Sequence, residues 1–250
     1  MWGKNLFVLL FVSVAMFGFL GNAWAQATQT PSMKPGHMMM ERSRGGSGGG
    51  GPLMTAALLD LKELENALPG LTFGGDFTVS DKKIFLMAGG GGLGGPGHMR
   101  FGGEGWGGEW NVPYDDKTHD FNRAILSIDG GGFLIEHILH SSEKIGLSIG
   151  ASIGGSDVKL RLFKQISSQP WADVVRSAKS LELKRSYFMV EPYISIRLTP
   201  VGFISFRISV GYLYQMSFED WELPDETKAT SGPLKTLSAP VFSVMIYFGR

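Results

Sequence analysis

Between Ile145 and Ile153 every odd position carries Ile, Leu or Ala and every even position carries Gly or Ser. Successive side chains of a strand point to opposite faces, so this run makes one bulky apolar face and one nearly bare face. A helix would smear the same residues around its whole circumference. The pattern recurs downstream. Val190, Ile194, Ile196 and Leu198 oppose Glu191, Tyr193, Ser195 and Arg197, while Ile204, Phe206, Ile208, Val210, Tyr212 and Tyr214 oppose Ser205, Arg207, Ser209 and Gly211. A final run sets Phe242, Val244, Ile246 and Phe248 against Val241, Ser243, Met245 and Tyr247.

Eight strands are expected, near residues 71–79, 83–90, 98–110, 123–138, 144–164, 181–199, 202–217 and 237–248. Val158, Leu160 and Leu162 have the opposite parity to Ile145–Ile153, and a bulge at Gly154–Gly155 is predicted to restore the facing. Pro192 lacks a ladder N–H, so it too calls for a bulge or an edge. Connections at 140–143 and 200–201 read as tight. Those at 111–122, 164–180 and 218–236 read as long and polar.

The remaining segments divide the chain. Lys4, the apolar run Leu6–Leu20 and Ala23-Trp24-Ala25 read as a signal peptide over residues 1–25. Residues 26–52 are Met- and Gly-rich and read as a disordered linker. Leu58, Leu61, Leu64 and Leu68 then suggest a short amphipathic helix within 53–69, stopped by Pro69-Gly70. Residues 70–250 form the all-β domain, an antiparallel up-and-down barrel.

Alternation alone does not say which face is inside. An eight-stranded barrel has an interior just wide enough for side chains to fill. Gly and Ser with isolated Arg and Glu suit that narrow lumen, and Ile, Leu and Phe suit lipid. The alternative is a soluble exported barrel or sandwich that binds an apolar small molecule between its sheets. Tyr187, Tyr193, Tyr212, Tyr214, Tyr247, Trp106, Trp110 and Trp221 are expected toward strand ends, as an aromatic girdle would be.

Arg197 and Arg207 fall on adjacent strands and one face, so a narrow interior must supply carboxylates. Glu191, Asp157, Asp129 and Glu136 are the candidates for a lumen charge network. Trp171 and Trp221, in long loops, are the candidates for recognition, the favoured alternative being that they simply pack on the barrel rim.

Other chemistry is not expected. The chain has 23 basic and 23 acidic residues and no Cys. This argues against nucleic acid as a partner, and against disulfides, thiolate metal sites and a cysteine nucleophile. Gly90-x-Gly92-x-x-Gly95 lacks the helix that a dinucleotide site needs. His137 and His140, three apart, diverge on a strand. No cofactor, metal or catalytic residue is assigned, and the chain is read as a non-enzyme.

The leader, the even strand count, the dyad repeat with a Gly/Ser face and the short and long connections resemble the small eight-stranded outer-membrane barrels. The resemblance covers residues 71–250 and carries no family-specific motif. It implies outer-membrane location after passage through the periplasm, membrane lipid and the barrel-insertion machinery as partners, and a structural, adhesive or narrow-transport role. Such barrels usually end on an aromatic residue; here Gly249-Arg250 follow Phe248.

Overall fold

The computed structural model describes residues 47–68, 70–71, 73, 78–79, 82–116, 121–164 and 179–249. The signal peptide, most of the Met-rich segment and Trp171 lie outside these residues. In chain order the elements are β1 (Ser47–Leu59), α1 (Lys62–Ala67), β2 (Thr78–Val79), β3 (Lys82–Gly95), β4 (Met99–Asp116), β5 (Phe121–Ser141), β6 (Ile145–Phe163), β7 (Ser180–Val201), β8 (Ile204–Met216), β9 (Trp221–Glu222), β10 (Lys228–Ala229) and β11 (Thr236–Gly249).

Eight long strands pair antiparallel in the cyclic order β1-β3-β4-β5-β6-β7-β8-β11, and β11 returns to β1. The barrel is closed and has no free edge at that level. Followed sideways from strand to strand, the register leaves β6 at Leu147, passes Ile196, Ile208, Val244, Met54, Ala88, Gly107 and Asp129, and re-enters β6 ten residues higher, at Asp157. A shear of that size in eight strands requires a strand tilt of roughly 43°, near the upper end of the usual barrel range. The first and last described residues share one end with three short turns. The longer connections, 60–81 and 217–235 among them, lie at the other.

The sequence places the first strand wrongly. Gly48–Gly51 belong to β1 and not to a linker, and the leucine run predicted as a helix from 53 is strand as far as Leu59. Helix α1 occupies only Lys62–Ala67. The cause is close approach of backbones: a Cβ on Gly51 would lie 2.0 Å from the Ile246 carbonyl oxygen, and one on Gly50 would lie 2.4 Å from that of Gly91. Glycine is required there, and glycine shows no alternation. With β1 in place, the first outer connection, 60–81, is long; the hairpin predicted to turn near 80–82 survives as its last part, where β2 pairs with the start of β3, Val79 opposite Lys82. The predicted long connection 111–122 shrinks, because β4 continues to Asp116 and β5 begins at Phe121.

Pro192 stays in register opposite Ala151. Toward β8 the ladder omits Glu191 and Pro192, then resumes with unchanged spacing at Tyr193–Gly211. A gap of two pairs, without a bulge, accommodates the missing N–H.

The wall is inside out over its lower half. Ile149, Ile153, Phe188, Ile194, Ile196, Val210, Phe242, Ile246 and Phe248 are exposed large apolar residues, whereas Ser148, Ser152, Ser195, Ser205, Ser209 and Ser243 are buried. Ile145–Gly155 of β6 and Ile204–Tyr214 of β8 each present about eleven residues of this kind, the length a tilted strand needs to cross a hydrocarbon layer. Exposed apolar surface on this scale is costly in water and normal against lipid.

Above that band the facing is unchanged but the chemistry reverses. Strand β6 pairs without interruption from Gly146 to Phe163 with β7, so there is no bulge at Gly154–Gly155. Val158, Leu160 and Leu162 are buried in the interior, while Asp157, Lys159 and Arg161 continue the row of Ile149 and Ile153 on the outside. The parity change predicted as a bulge marks the level at which the outer face of the wall turns from apolar to charged. Strands β4 to β7, at 18 to 22 residues, rise above this level; β1, β3, β8 and β11 have 13 or 14.

Candidate functional site

The lumen is filled in three levels. Near the lower rim Arg197 and Arg207 are directly opposed on β7 and β8. Glu136 of β5 lies between the strands, with 1% of its side chain exposed. Arg207 donates from Nε (3.3 Å) and Nη2 (3.1 Å) to Glu136 Oε2. Ser195 Oγ and Tyr193 Oη donate to the same oxygen at 3.2 and 3.4 Å. Arg100 of β4 approaches Glu136 Oε1 at 3.7 Å, and the Arg207 guanidinium lies 4.7 Å from the Tyr193 ring centroid. Tyr247 Oη donates to the Leu93 carbonyl and ties β11 to β3 across the interior.

Glu191 and Glu104 stand higher. Glu191 faces the interior six residues along β7 from Arg197, and Glu104 four residues along β4 from Arg100. The hydroxyl pairs Ser148–Ser195 (2.8 Å) and Thr55–Ser243 (3.0 Å) join neighbouring strands over the same part of the lumen. Deep burial of so many polar groups is tolerable only because they hydrogen-bond one another.

Of the six residues assigned to a lumen charge network, four face inward: Arg197, Arg207, Glu191 and Glu136. Asp129 and Asp157 do not. On an unbroken strand residues seven apart point to opposite faces, so Asp129 and Glu136 cannot both enter the lumen. Asp157 was turned inward only by the predicted bulge. Both acids sit outside, directly paired across β5 and β6. They wall an open depression of about 320 Å³ over Gly131 and Gly155. Asp157 accepts from Ser186 Oγ (2.6 Å) and pairs with Lys184 Nζ (3.1 Å). Burial pushes its carboxyl up, but those bonds and the charges of Lys184 and Lys159 outweigh it and leave it below the usual carboxylate range.

The third level is apolar. Leu59, Leu61, Leu64, Phe73, Phe85, Leu126, Leu160 and Leu234 pack into one core within the part of the wall above the band. Helix α1 has no side-chain cap and is too short to persist alone, so its place comes from packing. Its Leu64 enters this core, Glu63 Oε2 accepts the Leu234 N–H and Glu65 Oε1 accepts the Phe73 N–H, each at 3.0 Å.

Trp221 is not an exposed recognition residue; it is 3% exposed and packs on the rim. Its Nε1 donates to the Pro233 carbonyl (2.8 Å), and Arg185, with a fully buried side chain, donates to the same oxygen (2.6 Å) and stacks 5.2 Å from the indole. Tyr187 Oη donates to the Leu234 carbonyl. Burial pushes the Tyr187 phenol up to about 12, against the opposing charge of Arg185, so it remains a donor well beyond neutral pH. Replacing Trp221 by Ala is expected to cost about 3 kcal/mol locally. Limited trypsin digestion should then cut at Lys228 or Lys235 while the barrel stays folded. An unchanged digest would reject the pin.

The aromatic girdle is smaller than the sequence suggests. Tyr212 and Tyr214 are exposed on the wall, whereas Trp106, Tyr187, Tyr193, Tyr247 and Trp221 are buried and Trp110 packs against the interior core.

No family model matches the chain, and no curated protein does. Solved structures similar to it include Ail, the attachment invasion locus protein of Yersinia pestis, in complex with the heparin analogue sucrose octasulfate, at 9% identity over 82% of this chain and 99% of that one, with a TM-score of 0.42. Another structure of Ail, at the same identity and coverage, gives 0.34. The outer membrane protease OmpT of Escherichia coli, at 9% identity over 82% of this chain and 94% of that one, gives 0.35. Likeness at these scores says nothing of what this chain binds or does. What the chain shows by itself is a closed wall of eight strands with Ile194 and Val210 exposed on the outside and Glu136 and Arg207 enclosed.

Proposed function

We propose that the chain is a non-conducting outer-membrane barrel that acts at its outer end, as a structural or adhesive protein. The observation that carries this reading is the filled lumen. Ions would have to pass the Glu136–Arg207 layer, then the buried hydroxyl layer, then the core around Leu64 and Phe73. No reaction is part of the reading. The wall that rises above the band offers partners a mixed-charge surface. Arg161 pairs with Glu109 (2.7 Å) and Arg123 donates to Asn111 (2.8 Å), and Lys159 and Glu182 stand on the same outer face. Loops and walls held by a rigid frame are where such proteins carry recognition.

Planar-bilayer recording tests the reading. The purified protein is expected to give no stable conductance steps. A reproducible ohmic pore would overturn it and favour narrow transport.

A further inference from the structure

Residues 60–68 and the connection 217–235 meet at the outer end of the upper core and are joined to each other. Glu63 Oε2, on α1, accepts the N–H of Leu234 at 3.0 Å, and Leu61, Leu64 and Leu234 enter the same core. Neither segment is tied to the wall by a long ladder. Helix α1 has six residues and no side-chain cap. Strands β9 and β10 have two residues each, and among the described residues β9 reaches β7 through the pair Glu222–Lys184. Elements this short are held by the contacts around them and not by their own hydrogen bonds.

Those contacts converge on a strained residue. Leu234 has a φ of 61°, and the other non-glycine residues of positive φ among those described, Glu226 and Ser231, stand in the same loop. For a bulky side chain left-handed backbone is an outlier, kept only where the surroundings over-determine it. Here they do. The Leu234 side chain is buried, its N–H is held by Glu63 and its carbonyl by Tyr187, while Trp221 and Arg185 hold the carbonyl of Pro233 just before it. Closure leaves a second penalty at Arg185. Its side chain is fully buried, Nε and Nη2 have no hydrogen-bond partner among the described residues, and Asp220 of the loop stops 3.7 Å from Nη2. Buried donors on a cation are costly to leave unmade. A few bonds therefore hold the segment down against two stored penalties, whereas β5 and β6 pair with their neighbours along almost their whole length.

We infer that α1 and the loop 217–235 form one lid on the outer mouth, latched by Leu234 and poised to open as a unit while the wall beneath stays folded. Opening withdraws Leu64 and Leu234 from the core and lets Leu234 return to ordinary backbone. The Glu136–Arg207 layer lies at the other end of the lumen, so the lid opens without unblocking the barrel, and conductance does not report on it.

Hydrogen exchange of the full protein in lipid vesicles, read by mass spectrometry and corrected for intrinsic rates, tests the latch. Residues 60–68 and 217–235 are expected to share one opening equilibrium, about tenfold or more above that of β5 and β6. Glu63 is exposed, so Glu63→Ala leaves the wall intact; it is expected to raise exchange about tenfold in both segments, although it lies in only one of them. Leu234→Gly and Leu234→Ala both lose the side chain, but only alanine keeps the strain. Glycine is therefore expected to leave the lid the more closed of the two, by about threefold, the reverse of the order at an unstrained position. Heat-modifiable gel mobility reports folding of each variant, and should the Leu234 variants fail to fold, the wild-type protein and Glu63→Ala still decide. Exchange of 217–235 as slow as that of β5 and β6, a Glu63→Ala effect confined to its own segment, or more opening in Leu234→Gly than in Leu234→Ala would overturn the latch.

Discussion

Glu136→Gln is expected to cost the folded barrel about 3 kcal/mol or more, measured by urea unfolding in lipid vesicles. The carboxylate accepts from Arg207, Ser195 and Tyr193, attracts Arg100 and is almost wholly enclosed. Removing one member of a buried ion pair leaves the other charge desolvated and uncompensated, and that residue of unpaired charge dominates the loss. Glutamine keeps the shape and one acceptor oxygen, so the measured effect is mainly that of charge. Adding Arg207→Met should return part of the loss, because the second substitution removes the stranded cation. A change under 1 kcal/mol for Glu136→Gln would show that the layer is hydrated and not a packed network.

Ile194→Arg is expected to cost about 2–4 kcal/mol in the same vesicles, the range for a cation placed on the lipid face near the bilayer midplane. Ile194 is 55% exposed and lies on the wall between Ile149 and Val210. Lys184 stands on the same face of the same strand, ten residues nearer the outer end, and its ion pair with Asp157 is partly exposed. Lys184→Ile should therefore change stability by less than about 1 kcal/mol. The pair of variants separates the membrane barrel from a soluble one. In a soluble barrel both positions would be ordinary wetted surface, and Ile194→Arg would be close to neutral.

Both expectations depend on facing, which was legible where large and small side chains alternate. Strands β5 to β8 and β11 carry that contrast, and their places and their order follow from it. The choice of inside and outside followed from size: Ser195 and Ser209 fit beside Arg197 and Arg207 in a narrow lumen, and Ile194 and Val210 do not. Strand β1 was not legible, because Gly49–Gly51 lie where neighbouring backbones come too close for a Cβ. Alternation vanishes at the very place where packing is tightest. The leucines at 58, 61, 64 and 68 misled in another way. Leu61 and Leu64 enter one core with Leu68 packed against it, while Leu58 belongs to strand β1, so residues from a strand, a turn and a short helix imitate a single helical stripe.

The charge network was half legible. That Arg197 and Arg207 share one face on adjacent strands came from counting back along a hairpin closed at 200–201, which put them about two residues from direct opposition; β7 runs on to Val201 and the two are directly opposed. Glu136 came from the need for an anion. Asp157 was misplaced by a single inference, that a strand would bend to keep its apolar face on one side. It keeps its facing and changes its surroundings instead. Trp221 illustrates a different limit, since nothing local distinguishes an exposed loop tryptophan from one held by Arg185 and Pro233.

The reversal along β6 also bears on how the barrel reaches its final position. Residues above Gly155 carry Asp157, Lys159 and Arg161 on their outer face, with Lys184 and Glu182 alongside on β7. Coming from the side of the termini, this belt must traverse the hydrocarbon before the apolar band can occupy it. Each charge that makes the passage is expensive at the bilayer centre. The activation barrier to assembly is therefore set by residues that end outside the membrane, and once they have crossed, the same cost opposes their return.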